Sequence, residues 1–360
     1  MEKKKLNPIV KILIVFFTTI LMLLLFVVGV VFVMEKGPSE KATELFALSC
    51  NETSAMKWVP GVFMSDDEVN AILNPLTAKS DEEGSYFIKI EGDEMTVSFK
   101  TLEEINDVAI LPTAPKEGEI GSDITEAETD EDVPVIELVD LRGSTYKGKL
   151  MLVHDPSKVQ IGSIDSFGGV GITLSQFLEK YDAIACTNAG GFEDEDGKGK
   201  GGIPDGLVIR DGQIVYGSAG SSYRGVVGFD SDNVLHVGNM SGQQALNEGI
   251  VNGTSFELGP ILIKDGERQS GFNSGINPRT AIGQMADGTV ILVAIEGRMV
   301  DSLGATFEDL CDIFEGYGAV NAANLDGGSS SGMYYEGERI TRSSSVIGDR
   351  PLPTAVIVKR

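Results

Sequence analysis

The sequence predicts an α+β domain built on a mixed, mostly antiparallel sheet with a few helices, preceded by one N-terminal transmembrane helix. Three observations carry this. Short β-rich runs separated by glycine turns follow one another from Val133 onward. Only two stretches in that region have helical patterning, and no regular strand–helix–strand alternation appears. Residues 12–33 form a 22-residue, predominantly apolar run without a charge.

At 1.5 Å per residue that run reaches about 33 Å, enough to cross the hydrocarbon core of a bilayer. Lys3, Lys4, Lys5 and Lys11 lie on its N-terminal side and Glu35 follows its other end. The positive-inside rule then gives a cytoplasmic tail (1–11), a membrane helix (12–33) and an extracytoplasmic remainder. The alternative is a cleaved signal peptide. The run is long for such a segment, and no small-x-small site stands near Val33.

Residues 34–132 read as an N-terminal region distinct from the remainder of the chain. Residues 37–80 have helical texture. Ser65-Asp66-Asp67-Glu68 fits a capping box ahead of Val69, Ile72 and Leu73, and Asn74-Pro75 would stop that helix. Tyr86 to Lys89 and Met95 to Phe99 read as short strands around Glu91-Gly92-Asp93. Residues 117–132 carry eight acids and no base, the pattern of a solvated linker.

Residues 133–360 form the main domain. Strands are expected at Leu150–His154, Leu207–Ile209, Ile214–Tyr216, Val226–Phe229, Val234–Val237, Ile261–Ile263, Val290–Ile295 and Ala355–Val358. Helices are expected at Leu174–Tyr181 and at Thr306–Tyr317, the latter with Thr306 as cap and Glu308 and Asp309 in the first turn.

Composition narrows the function. The formal net charge is −25, a surface that repels nucleic acid. An anionic substrate would therefore need a local basic pocket. The cysteines Cys50, Cys186 and Cys311 form no CxxC pair, and Cys186 and Cys311 are expected as buried apolar residues. One bridge is possible among the three. Two histidines, His154 and His236, are too few for a multi-histidine metal site and read as structural. No metal or cofactor is expected. Gly328-Ser329-Ser330-Ser331-Gly332 matches a nucleophile elbow, but no histidine follows it. Asp194 through Asp205 only faintly resembles a calcium loop, with Lys198 where an oxygen ligand is needed. The glycines of that stretch would also suit a flexible lid.

Four glycine- and polar-rich segments interrupt the strands. They are Asn188-Ala189-Gly190-Gly191-Phe192 with Gly201-Gly202-Ile203-Pro204-Asp205-Gly206; Asn277-Pro278-Arg279-Thr280-Ala281-Ile282-Gly283; Glu296-Gly297-Arg298; and Asn321 through Ser331. In this order and spacing, closed by Gly348-Asp349-Arg350-Pro351, they resemble the phosphodiester glycosidase family over roughly residues 150–360. The first segment departs from the Asn-Gly-Gly-Phe-Phe of many relatives. The resemblance implies a hydrolase of sugar phosphodiesters, and the membrane run would hold it near surface or cell-wall glycopolymers.

The residues suit that chemistry. A phosphodiester stays anionic at neutral pH, and a planar guanidinium matches its two free oxygens. Arg279 is the first choice for that clamp and Arg298 the second. Gly327 and Gly328 let backbone N–H groups approach an oxyanion, and Ser329 adds a donor. Asp326, between Leu325 and these glycines, is the expected acid, base or nucleophile. Glu296 is a possible second carboxylate. Asn188 would hold a sugar hydroxyl or phosphate oxygen, and Thr280, Gly190, Gly191 and Asn324 share the same segments as substrate-lining residues. The non-enzymatic alternative is a surface module that binds phosphate-containing glycans without cutting them.

Overall fold

The computed structural model describes residues 7–53, 55–73, 90–91, 94–95, 135–194, 199–345 and 348–360. The chain divides into two compact units. One comprises residues 1–73 with 134–360, and the other residues 74–133. In the second unit the described residues are two short antiparallel strands, Ile90–Glu91 and Glu94–Met95. The strands expected at 86–89 and 95–99 lie almost wholly outside the described residues, as does the acidic stretch 117–132. The expected 34–132 region thus divides at Leu73.

Helix α1 (Pro8–Lys36) has 29 residues, a mean hydropathy of 3.0 over its most apolar window and no burial there. It is long and apolar enough to cross a membrane. Asn7 caps it, with Pro8 in the first turn, where a missing N–H costs nothing. Three residues later α2 (Glu40–Asn51) begins, capped by Ser39. α3 (Asp66–Leu73) starts at the expected capping box: Ser65 N–H donates to Glu68 at 2.7 Å and Glu68 N–H to Ser65 Oγ at 3.3 Å. Glu35, at the end of α1, is buried and accepts from the Phe63 N–H at 2.8 Å.

Three large antiparallel sheets, with a two-stranded one pairing Gly169–Val170 and Gly201–Gly202, make the main domain among the described residues. The largest has seven strands in the order Glu267–Arg268, Ile261–Lys264, Ala319–Asn324, Arg279–Met285, Val290–Ile295, Lys147–Val153 and Ile136–Arg142. A second runs Glu338–Arg339, Met333–Tyr335, Ala183–Asn188, Thr354–Lys359, Val159–Ser163. The third runs Gln213–Tyr216, Val208–Arg210, Asn252–Ser255, Ser222–Phe229, Leu235–Ser241. Each sheet turns one face to a shared centre, where Met151, Leu292, Val356, Val227 and Phe229 meet. The outer faces are covered by helices: α4 (Leu174–Tyr181) on the second sheet, α5 (Gly242–Asn247) on the third and α6 (Phe307–Gly316) on the first. Val290, Leu292 and Ala294 point to the centre while Ile291, Val293 and Ile295 point to α6. Burial on both faces explains why that strand reads as an unbroken apolar run.

Two polar segments expected to interrupt strands are themselves strands. Arg279–Met285 and Ala319–Asn324 lie side by side in the middle of the large sheet. Small residues such as Ala281, Gly283, Ala322 and Ala323 hid them, because the space above is filled by ring carbons of Phe314, which stand where a side chain on Gly283 would go. The three cysteines are free and buried, so no bridge forms among them. Burial pushes the Cys50 thiol up to about 11. His236 faces Asp230 at 2.9 Å and His154 faces Thr289 at 3.3 Å, consistent with structural roles.

Candidate functional site

The register of the large sheet creates the site. Ala281 lies opposite Asn324, and Leu325 N–H donates to Thr280 O at 2.8 Å. Arg279, opening one strand, and Asp326, just past the end of the next, therefore share one edge. Gly327 and Gly328 follow, and Gly328 N–H donates to Pro278 O at 2.9 Å. Gly328 has φ +62°, which glycine adopts without strain. Its missing side chain leaves room for the Arg298 guanidinium.

Arg279 is buried. Its Nε donates to Ala305 O at 3.1 Å, its Nη2 to Gly275 O at 2.7 Å, and its plane lies 4.1 Å from the Phe307 ring centroid. Its ionic partner comes from the N-terminal helices: Glu52, which caps the C-terminal end of α2, meets Nη2 at 2.6 Å. The same carboxylate accepts from Gly275 N–H at 2.7 Å and Asn277 Nδ2 at 3.0 Å. Ser49 Oγ accepts from Ile276 N–H at 2.9 Å, and Arg298 Nη2 donates to Thr53 Oγ1 at 2.8 Å. An acid at a helix C-terminus opposes the helix dipole. Glu52 is held there because two backbone and amide donors and a guanidinium form an anion recess. Burial draws the Arg279 guanidinium down and Glu52 pulls it back up. Arg298 stands at φ +58°, and it is the one described non-glycine with positive φ that is not Asp, Asn or Glu. Such backbone strain in a long side chain clusters at working sites.

Asp326 accepts from Gly327 N–H at 2.8 Å. Burial raises its carboxyl to about 6, against the pull of Ser330 and the Gly327 amide. It also feels the charge of Arg350, and Arg298 feels Asp326. Arg350, from the closing Gly-Asp-Arg-Pro, holds Asp194 in a fork of 2.6 and 2.8 Å over the Phe192 ring, and its Nη1 is 3.5 Å from Ser329 Oγ. Burial pushes Asp194 up, but Arg350 and the Gly199 amide outweigh it and hold the group low. That pairing also takes Asp194 out of any calcium loop; residues 195–198, the centre of the loop and of the expected lid, lie outside the described residues. No metal-binding group of three His, Cys, Asp or Glu exists among the described residues.

The other expected residues have other partners. Asn188 is fully buried: Nδ2 donates to Asp326 O at 2.6 Å, and Oδ1 accepts from Thr280 at 2.7 Å and Gly332 N–H at 3.1 Å. It ties three strand ends together beneath Asp326, with Thr280 as its partner. Asn324 is likewise buried and donates to Leu325 O. Glu296 turns to Arg342, at 2.6 and 2.7 Å. Gly191 lies against the Asp205 carboxylate, while Gly190 packs on Thr254 and Ser255 and its N–H donates to Thr354 Oγ1 at 2.9 Å. Asp205, Arg350 and Asn277 lie in or beside the glycine- and polar-rich segments, so a reading of every polar side chain in those segments would have found them. Glu52 has no such signal, since nothing local in α2 points to Arg279.

Two surface hollows of about 320 and 440 Å³ lie elsewhere, lined by Tyr146 and Asp301 and by Gln176 and Lys180. The Arg279 recess itself is filled by Glu52. Gly191 is packed against the Asp205 carboxylate and the Phe256 ring, with no space for a Cβ. Gly191→Ala is expected to cost ~1–3 kcal/mol through this overlap. The check is a lower denaturation midpoint at unchanged slope; an unmoved midpoint would mean that Asp205 swings aside freely.

The large antiparallel sheet thus brings a half-buried carboxylate, Asp326, and a buried arginine, Arg279, to neighbouring strand ends. Residues 181–359 match the family model described as phosphodiester glycosidase. The match supports a hydrolase acting on phosphodiester-linked sugars. Among solved structures, the catalytic domain of zebrafish N-acetylglucosamine-1-phosphodiester alpha-N-acetylglucosaminidase, auto-inhibited by its pro-peptide, has the same fold. The TM-score is 0.53 at 23% identity, covering 66% of this chain and 87% of that one. The SPbeta prophage-derived protein YomE of Bacillus subtilis (strain 168) is 30% identical over 196 residues, 51% of this chain. The match spans 29% of that relative's length.

Proposed function

We propose that the protein is a membrane-anchored, extracytoplasmic hydrolase that cleaves sugar-1-phosphodiester linkages in surface or cell-wall glycopolymers. The observation that carries this reading is the Glu52 carboxylate seated in the recess of Arg279, Asn277 and the Gly275 amide, one strand from Asp326. A carboxylate with two oxygens in a donor fork stands in for a phosphodiester with two free oxygens. With α2 withdrawn, Arg279 and Arg298 hold the phosphate and the Gly327-Gly328 backbone supports it. Asp326 faces the anomeric carbon and takes a proton from water, or attacks directly. The phosphate leaves readily, and the arginines support its charge as it goes.

The zebrafish catalytic domain is auto-inhibited by a pro-peptide, and we read α2 in the same sense: its end covers the recess until it moves. α1 supplies the anchor, with the N-terminus cytoplasmic and the bulk of the chain outside.

The test is release of free sugar by the full-length protein in detergent, and by its Glu52→Ala variant, from UDP-N-acetylglucosamine and a panel of sugar-1-phosphodiesters in ¹⁸O-water. Release with label in the sugar supports attack at carbon, and label only in the phosphate contradicts it. Binding across the panel without release, lost in Arg279→Ala, would instead favour the module that binds phosphate-containing glycans.

A further inference from the structure

The turn 189–191 is held by the backbone of one aspartate on each side. The Asp326 N–H donates to Ala189 O at 2.9 Å, and the Asp205 N–H donates to Gly191 O at 3.2 Å. The Asp205 carboxylate lies against Gly191, in the space a side chain there would need. Its Oδ1 is buried and has no hydrogen-bond partner. A buried carboxylate oxygen without a donor is poorly tolerated as an anion and well tolerated as an acid with a proton to give.

Resting on the function proposed above, we propose that Asp205 and Asp326 hold one proton between them, Asp205 being the acid to Asp326's base. As water attacks the anomeric carbon, its proton passes to Asp326. The bond between that carbon and the phosphate oxygen breaks, its electron pair stays on the oxygen, and the Asp205 proton follows onto the leaving phosphate. Transfer of the proton from Asp326 to Asp205, directly or through solvent, restores the starting state. Protons and electrons balance without any co-reactant. Asp205 thus takes the place expected for Glu296, whose oxygens are occupied by Arg342.

The charges around the pair fit this division. Burial, then Asp326, then Glu257 push the Asp205 carboxyl up to about 7, against the Glu257 amide. Asp326, raised by burial to about 6, is moderated by Ser330, Gly327 and Arg350, with Asp194 opposing. Two interacting carboxyls titrate as a pair, the second proton leaving with difficulty.

Two measurements on the full-length protein in detergent test the pair. The first is the pH profile of kcat for wild type and Asp205→Asn. A fall of about 10²-fold with loss of the alkaline limb is expected, and an unchanged profile would overturn the acid role. The second does not depend on turnover: thermal unfolding between pH 5 and pH 8. A carboxyl with a raised folded pKa binds a proton that the unfolded chain releases, so its contribution is complete below the unfolded pKa and is lost as pH rises through about 7. Wild type should therefore lose more Tm over this range than Asp205→Asn; parallel curves would overturn the shared proton. If no substrate is cleaved while the Tm curves still diverge, the hydrolytic reading fails and takes the acid role with it, and the shared proton stands.

Discussion

Asp326→Asn is expected to lower sugar release by about 10²–10⁴-fold, the usual share of a general acid or base. The substitution keeps the shape and can keep the bond from the Gly327 amide through the side-chain oxygen, so substrate affinity should hold while kcat falls. Its effect on stability has the opposite sign. Burial raises the Asp326 carboxyl to about 6, so wild type loses stability as pH rises from the ordinary carboxylate range through that value. The Asn side chain does not ionise, and the variant should be less sensitive over the same interval. Turnover measured beside thermal unfolding at pH 5 and pH 7 checks both signs. An active Asp326→Asn protein would remove this residue from the chemistry.

Arg279 and Glu52 should behave as unequal partners. Arg279→Ala removes a buried guanidinium with its stacking on Phe307 and leaves Glu52 without its counter-ion. Breaking a buried pair costs ~3–5 kcal/mol. Glu52 reaches solvent and keeps Gly275 and Asn277, so about 2–3 kcal/mol is expected here. Glu52→Ala also costs stability, yet it opens the recess. Inorganic phosphate should then raise the Tm of Glu52→Ala and leave wild type nearly unmoved. Turnover should rise about 10-fold or more, because a tethered competitor acts at millimolar effective concentration. A Glu52→Ala protein that ignores phosphate would show that the recess is only a structural ion pair.

The legible parts of the sequence were those with strong local rules. α4 fell where its helical patterning put it, α6 began behind the expected Thr306 cap, and α3 began at its Ser65–Glu68 box. The Val290 strand was visible because both of its faces are buried. The Ala319 strand was not, since Ala322, Ala323 and Asn324 lack the branched side chains that mark strands, and their place is set by packing across the sheet. Asp326 and the arginines stood out as polar residues between apolar strands. Asn188 stood out for the same reason, but the structure spends its amide on Thr280, Gly332 and Asp326 O. Glu52 lies more than two hundred residues from Arg279, a pairing that no local pattern encodes.

Only Gly37, Pro38 and Ser39 separate α1 from α2, and α2 itself spans about 18 Å for its 12 residues. With α1 across a bilayer as proposed, this short stalk works as a ruler. The mouth of the recess, at the far end of α2, cannot stray beyond roughly 30 Å from the point where α1 leaves the lipid, since three extended residues add only about 10 Å. On that proposal a substrate has to come within this distance of the lipid surface to be cut, unless α2 lets go.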